Sequence, residues 1–144
     1  MLISLKEAEL LVGPIRDLLV QAHLDSWDVW AKRVSDDPEF VKPLKEAERY
    51  AILHRHIIDH GSRYIGVHGR VTERLQFFGV AVGDKILLRF KHVDAELQPR
   101  RYPTEQQVNL SAQEFTNEMI EVLSLDGITA PLTVLTVGYT LTPA

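Results

Sequence analysis

Apolar residues recur at helical spacing over the first 60 positions and alternate with polar ones beyond Gly61, so the chain reads as helices followed by a sheet. Ser4 to Glu7 has the form of a capping box: the serine accepts from an orphan amide and the glutamate reaches back, so a short helix begins here. Gly13 and Pro14 end it, and Pro14 opens a second helix expected to run to about Val34. That helix carries two apolar stripes. Ile15, Leu19, Ala22 and Trp30 form one; Val20, Leu24, Trp27, Ala31 and Val34 form the other. Asp36, Asp37 and Pro38 give a further start signal that Pro43 interrupts, so a long third helix is expected from Pro43 to His60, stopping at Gly61. Its core stripe reads Leu44, Ala47, Ala51, His54 and Ile58, widened by Tyr50, Leu53 and Ile57.

Past Gly61, Leu75 to Val82 and Lys85 to Val93 read as two strands joined at Gly83 and Asp84, with glycine first as a type II′ hairpin turn requires. On the second strand Ile86, Leu88, Phe90 and His92 share one face, and Lys85, Leu87, Arg89, Lys91 and Val93 the other. A polar crossing from Asp94 to about Ser111 holds Pro99 and Pro103, residues 112–123 suit a short helix, and Leu132 to Leu141 alternates as a final strand. The expected fold class is α+β: N-terminal helices packed on a C-terminal antiparallel sheet that contains a hairpin. With 144 residues and no linker or repeat, the chain is expected to be a single domain, helical over 1–60 and sheet over 61–144.

Composition removes several chemistries. There is no cysteine, so this chain forms no disulfide, thiolate metal site or cysteine nucleophile, and a reducing, cytoplasmic setting fits. Neither a signal-like start nor a long apolar run occurs, so secretion and membrane insertion are not expected. The net charge of -4 hides an uneven distribution. Residues 1–48 hold six basic and ten acidic side chains, residues 49–101 ten and five, and residues 102–144 none and five. A basic middle between acidic flanks either steers an anionic ligand or neutralises the flanks within the fold.

Three constellations bear on chemistry. His56 and His60 stand four apart, a spacing that can hold a metal from one helix face, but Ile57 occupies the position where a zincin has its catalytic glutamate. No metal or other cofactor is expected, and His54 falls on the core stripe. Gly66 and Gly69 make a GxxG in a basic context, as the KH loop does, yet the residues after it do not continue as an apolar helix, so a plain turn is expected. The third is the basic face of the hairpin. Arg89 and Lys91 share a strand face, and Arg101 and Tyr102 follow in the polar crossing, so these four can form one surface for an anion, a nucleic acid or an acidic partner. No serine lies in a nucleophile elbow and no Walker loop occurs; a restriction-type core would need a carboxylate where Arg89 stands. The chain therefore holds no complete catalytic set. Trp27, on the second stripe of the second helix, is the expected anchor for self-association or partner binding.

Leu87 to Asp94, Arg101 to Gln107 and Leu135 to Leu141 together resemble a family of small uncharacterised bacterial and phage proteins, over the second half of the chain. The shared features are the arginine, phenylalanine and lysine at 89–91, the proline, threonine and glutamine around 103–107, and the late glycine and tyrosine at 138–139. Members of that family often occur beside helix-turn-helix regulators and metallopeptidases of the ImmA/IrrE type. The resemblance implies a regulatory or toxin-antitoxin-like setting and no particular reaction. The function expected from it is binding of a neighbour-encoded protein partner, with a homodimer compatible with the same surface. The alternative is a nucleic-acid-binding or nucleic-acid-processing effector that uses the basic hairpin face.

Overall fold

The computed structural model describes residues 2–74, 77–93 and 113–140. Two compact units divide the chain: Pro14–Val67 forms a helical unit, and Met1–Gly13 with His68–Ala144 forms a sheet unit.

In the helical unit α2 spans Arg16–Asp36, α3 Pro38–Val41 and α4 Glu46–Ile65. Asp37 caps α3 by accepting from the Phe40 amide at 3.3 Å, and Pro38 occupies the first turn, where its missing N–H costs nothing. The connection into α4 is held by Arg49, whose Nε donates to the Leu44 carbonyl and whose Nη2 donates to that of Val41, both at 3.2 Å. Ile15, Leu19, Ala22 and Trp30, the first stripe read from the sequence, are buried with Val41, Leu53, Ile57 and Ile65. The phase of α4 differs from expectation: Ala47 and Ala51 are exposed, and the buried histidine is His60 rather than His54. The helix also passes through Gly61 to Ile65. Ile57, Gly61 and Ile65 keep i, i+4, i+8 spacing on the buried side, so packing holds the helix past a residue that by propensity alone would end it.

In the sheet unit α1 spans Leu5–Val12, capped by Ser4 accepting from the Glu7 amide at 3.1 Å. The strands are β1 Arg70–Arg74, β2 Phe77–Val82, β3 Ile86–His92 and β4 Thr133–Tyr139, with α5 at Asn117–Leu125. Their order in the sheet is β1-β2-β3-β4. The first three are antiparallel neighbours, but β4 pairs with β3 in parallel, Arg89 opposite Thr136 and Lys91 opposite Gly138. The sheet is therefore mixed rather than antiparallel throughout. A short turn forces its strands to run oppositely, whereas the long β3 to β4 connection carries α5 and can return the chain to the starting end.

The hairpin turns where the sequence indicated, with a different backbone. Gly83 has φ +62° and Asp84 φ +54°, so both central residues are left-handed, the type I′ pattern rather than II′. The Leu11 side chain closes over Gly83, where a Cβ would lie 2.7 Å from Leu11 Cδ2. β1 follows directly after Gly66 to Gly69, the stretch expected to be a turn, at a position with no expected strand; the β-branched pair Val71 and Thr72 makes it a strand, with Thr72 buried. Phe77, Ala81, Leu87 and Val134 pack with Met119 and Leu123 of α5 and with Ile128 and Leu132. Phe78, Val80, Ile86, Leu88 and Phe90 are buried too, so β2 and the first part of β3 are covered on both faces.

Candidate interaction surfaces

The second stripe of α2 stands in solvent. Val20 is 52% exposed, Leu24 54%, Trp27 46% and Val34 39%, and Ala31 is exposed between them. Their spacing alternates four, three, four and three, the heptad spacing of a helix that packs along another helix. The seam runs about 21 Å at 1.5 Å per residue. Isolated exposed apolar residues are ordinary, but a continuous row on one helix face is not. Because Leu19, Ala22 and Trp30 bury the other side of α2, the seam is additional to what the helix needs for its own core.

The contact between α2 and α4 contains polar pairs, one half-exposed and one buried. Tyr64 donates its hydroxyl to Asp25 at 2.5 Å, and Gln21 Nε2 donates to the same carboxylate at 2.6 Å. These two donors hold Asp25 below the usual carboxylate range, and the Asp25 bond raises the Tyr64 phenol. Ser26, fully buried, lies one residue on, with its Oγ 2.9 Å from His60 Nδ1. A serine beside a histidine invites comparison with a nucleophile and its base, but the protons run the wrong way. The Ser26 hydroxyl donates to the Ala22 carbonyl at 2.6 Å, and His60 Nδ1 also lies 2.9 Å from the His56 carbonyl, which can only accept. With Nδ1 protonated every partner is satisfied, and Ser26 accepts from the imidazole instead of giving up its proton to it. The pair locks two helices together. Burial, with help from the neighbouring His60, keeps His56 below the usual histidine range, and among the described residues no three ligand-type side chains gather around a metal position. The signal for Ser26 lay in the first stripe: between Ala22 and Trp30 the core phase passes through position 26, where a polar residue requires a partner.

The basic hairpin surface is only partly within view. Arg101 and Tyr102 lie outside the described residues. Arg89 is 5% exposed, with Nε donating to Thr136 Oγ1 of β4 at 2.7 Å, and burial lowers its pKa from the ordinary arginine value. Lys91 follows it on the same face, half-buried opposite Gly138. Lys85 is exposed at the turn and pairs with Glu7 of α1. Arg74 makes a two-pronged contact with Asp126, at 2.9 and 3.0 Å, and Thr72 donates to the same carboxylate at 2.7 Å. Arg89 is buried, whereas the cations that track a phosphate backbone in single-strand readers line an open groove.

The structure thus defines an α+β protein with an exposed heptad seam on α2, and among the described residues no helix is long and apolar enough to cross a membrane. No protein-family model, curated protein or solved structure matches the chain.

Proposed function

We propose that the chain is a non-enzymatic interaction protein of a bacterial or phage regulatory or toxin-antitoxin-like module, working in the cytoplasm by binding a protein partner through the outer seam of α2. The observation that carries this reading is the seam itself: five apolar residues at heptad spacing, exposed along a helix whose opposite side is already buried. The family resemblance of the second half supports the setting, and the lack of a complete catalytic set in the sequence supports a binding role. The nucleic-acid alternative has less support, because Arg89, its central cation, is buried against Thr136.

The test is binding of a purified neighbour-encoded regulator to the parent and to Trp27→Ala. Loss of a central aromatic anchor is expected to weaken binding by about 30-fold, equivalent to about 2 kcal/mol, with the melting temperature unchanged. Equal binding by both proteins sinks the assignment of the seam. A parent that binds nucleic acid with a steep salt dependence and ignores the regulator reverses the reading in favour of the alternative.

A further inference from the structure

The two edges of the sheet are built differently. β1, at one edge, carries Arg70, Glu73 and Arg74, the kind of charge that keeps an edge strand from pairing with another chain. β4, at the other, has no charged residue from Thr133 to Tyr139. Its backbone groups turn alternately toward β3 and away from it. The Thr133 amide donates to the Lys85 carbonyl, and the Tyr139 carbonyl accepts from the Val93 amide, so the odd-numbered residues serve the inner side. Val134, Thr136 and Gly138 therefore turn their N–H and C=O groups outward, and Thr136 and Gly138 are exposed.

Val134 shows what kind of group this edge binds. Its amide donates to Gln113 Oε1 at 2.6 Å, and its carbonyl accepts from Gln113 Nε2 at 3.0 Å. A primary carboxamide offers an acceptor and a donor together, as a residue of an antiparallel strand does in a hydrogen-bonded pair. The Gln113 side chain thus stands in for the backbone of a further strand. Gln113 itself has φ +61°, a left-handed conformation uncommon for a residue with a side chain. Local strain of this sort is characteristic of ligand clamps and switch segments.

We infer that the outer edge of β4 takes an extended polypeptide segment as a fifth strand, and that the Gln113 carboxamide is a placeholder which the segment displaces from Val134. This site lies in the sheet unit and goes beyond the reading of the α2 seam. The segment is recognised by its main chain at Val134, Thr136 and Gly138. Its side chains alternate, apolar ones beside the half-buried Leu135 and Val137 and small polar ones beside Thr136 and Gly138. A second copy of this chain is a poorer occupant. In any pairing of two β4 edges Gln113 of each copy closes Val134, so within β4 only Thr136 and Gly138 remain for a ladder. A flexible segment can start at Gly138 and displace Gln113 as it advances.

The probe is a synthetic eight-residue peptide alternating valine and threonine, with a twin N-methylated at every residue, which keeps the side chains and removes the donors. In the parent alone, hydrogen exchange is expected to be fast at the Thr136 and Gly138 amides. The peptide should slow both, and its methylated twin should not bind. Gln113→Ala, which vacates Val134, should tighten peptide binding about tenfold, because the hydrogen bonds of the carboxamide no longer have to be exchanged. Gln113→Met keeps the length of the side chain without its polar end and serves in its place if Gln113→Ala lowers the melting temperature. Thr136 and Gly138 amides already slow in the parent overturn the inference, because the edge is then closed. Equal binding of the methylated twin overturns it too, as does peptide affinity that is absent, unchanged or weaker in both Gln113 variants. A mass that rises with concentration in Gln113→Ala without peptide makes a second copy the occupant and overturns the choice of a partner segment. None of these results moves the Trp27→Ala comparison, so the α2 seam stands or falls on that comparison alone.

Discussion

In the helical unit, hydrogen-bonded polar pairs lie at the contact of α2 with α4 while Leu24 and Trp27 stand in solvent; the sheet unit does the reverse. There Leu87, Leu88 and Ile86 are almost wholly buried, and the charged pairs Arg74 with Asp126 and Lys85 with Glu7 sit where water reaches them. Hydrophobic burial scales with the apolar area removed from water, and on this measure β2 and β3 are the finished part of the sheet unit, while Leu5 and Leu10 of α1 stand exposed. The helical unit leaves apolar area uncovered and takes specificity from Ser26, His60, Asp25 and Tyr64 instead. A region built in that way is suited to meeting another protein.

The largest test of the contrast uses one residue type in both regions. Leu87 lies at the centre of β3 against Met119, Leu123 and Val134, and Leu87→Ala should cost about 3 kcal/mol in denaturant unfolding, by lost transfer energy and a residual cavity. Leu24→Ala on α2 should stay within about 0.5 kcal/mol in the monomer, since its side chain is half exposed and alanine favours a helix. Equal costs would remove the distinction between a closed unit and an open one.

A smaller effect tests the polar lock. Ser26→Ala removes an acceptor from His60 Nδ1 but leaves the His56 carbonyl, so the expected cost is about 1 kcal/mol. His60→Ala should cost more, because it also opens a space between the helices. A double-mutant cycle should show a coupling of about 1 kcal/mol between them, and no coupling would mean that the two groups merely lie close.

Much of this was legible from period alone. Helical spacing separated the two stripes of α2, and the change at Gly61 from helical to alternating pattern marked the hairpin, because buried faces must recur at the period of their element. What escaped depends on contacts distant in sequence. β4 runs parallel to β3 because the connection through α5 crosses over, and no local pattern in Leu132 to Leu141 records its direction. Gly61 reads as a stop in isolation and is helical only because Ile57 and Ile65 are buried on either side of it. Arg89 has the alternation of a solvent-facing residue, yet Thr136, 47 positions away, receives its Nε within the fold. His60 rather than His54 is the buried histidine for the same kind of reason: its partner, Ser26, is on another helix.

The two units should also part company in acid. Burial lowers the pKa of His23, partly opposed by the Leu19 carbonyl, and burial also lowers that of His56. A histidine with a folded pKa below its unfolded value of about 6.5 contributes stability that is complete above that pH and is lost as pH falls toward the folded value. The helical unit should therefore weaken from about pH 6.5 downward. Asp25 adds a second loss below about pH 4, its carboxylate being held down by Tyr64 and Gln21. In alkali the sign reverses for Tyr64: its pKa is raised by Asp25, so its contribution is present below about pH 10 and lost above. In the sheet unit Asp126, held down by Arg74 and Thr72, gives a loss below about pH 4. Both tryptophans, Trp27 and Trp30, are in the helical unit, so fluorescence follows that unit alone. At pH 5 its transition should fall while hydrogen exchange of the β2 and β3 amides is unchanged. Coincident loss of both signals would mean that the two units unfold as one.

The smallest effect expected is at the rim of the sheet unit, where Lys85 at the hairpin turn pairs with Glu7 of α1. The Lys85 and Glu7 side chains are 54% and 36% exposed, so water screens their attraction and ordering two flexible side chains offsets part of it. Lys85→Ala should cost under about 1 kcal/mol, and in 1 M salt, where the Debye length is about 3 Å, the difference from the parent should shrink further. α1 should stay docked regardless, because two contacts do not depend on charge. The Ile3 amide donates to Thr133 Oγ1 at 3.0 Å, and Leu11 lies over Gly83. Hydrogen exchange of the α1 amides with and without the substitution is the direct measurement, and little change is expected. A cost above about 2 kcal/mol that persisted in 1 M salt would be outside the range of an exposed pair. It would mean that the charged rim helps to hold the sheet unit together, and the contrast with the helical unit would then lie in its exposed seam alone.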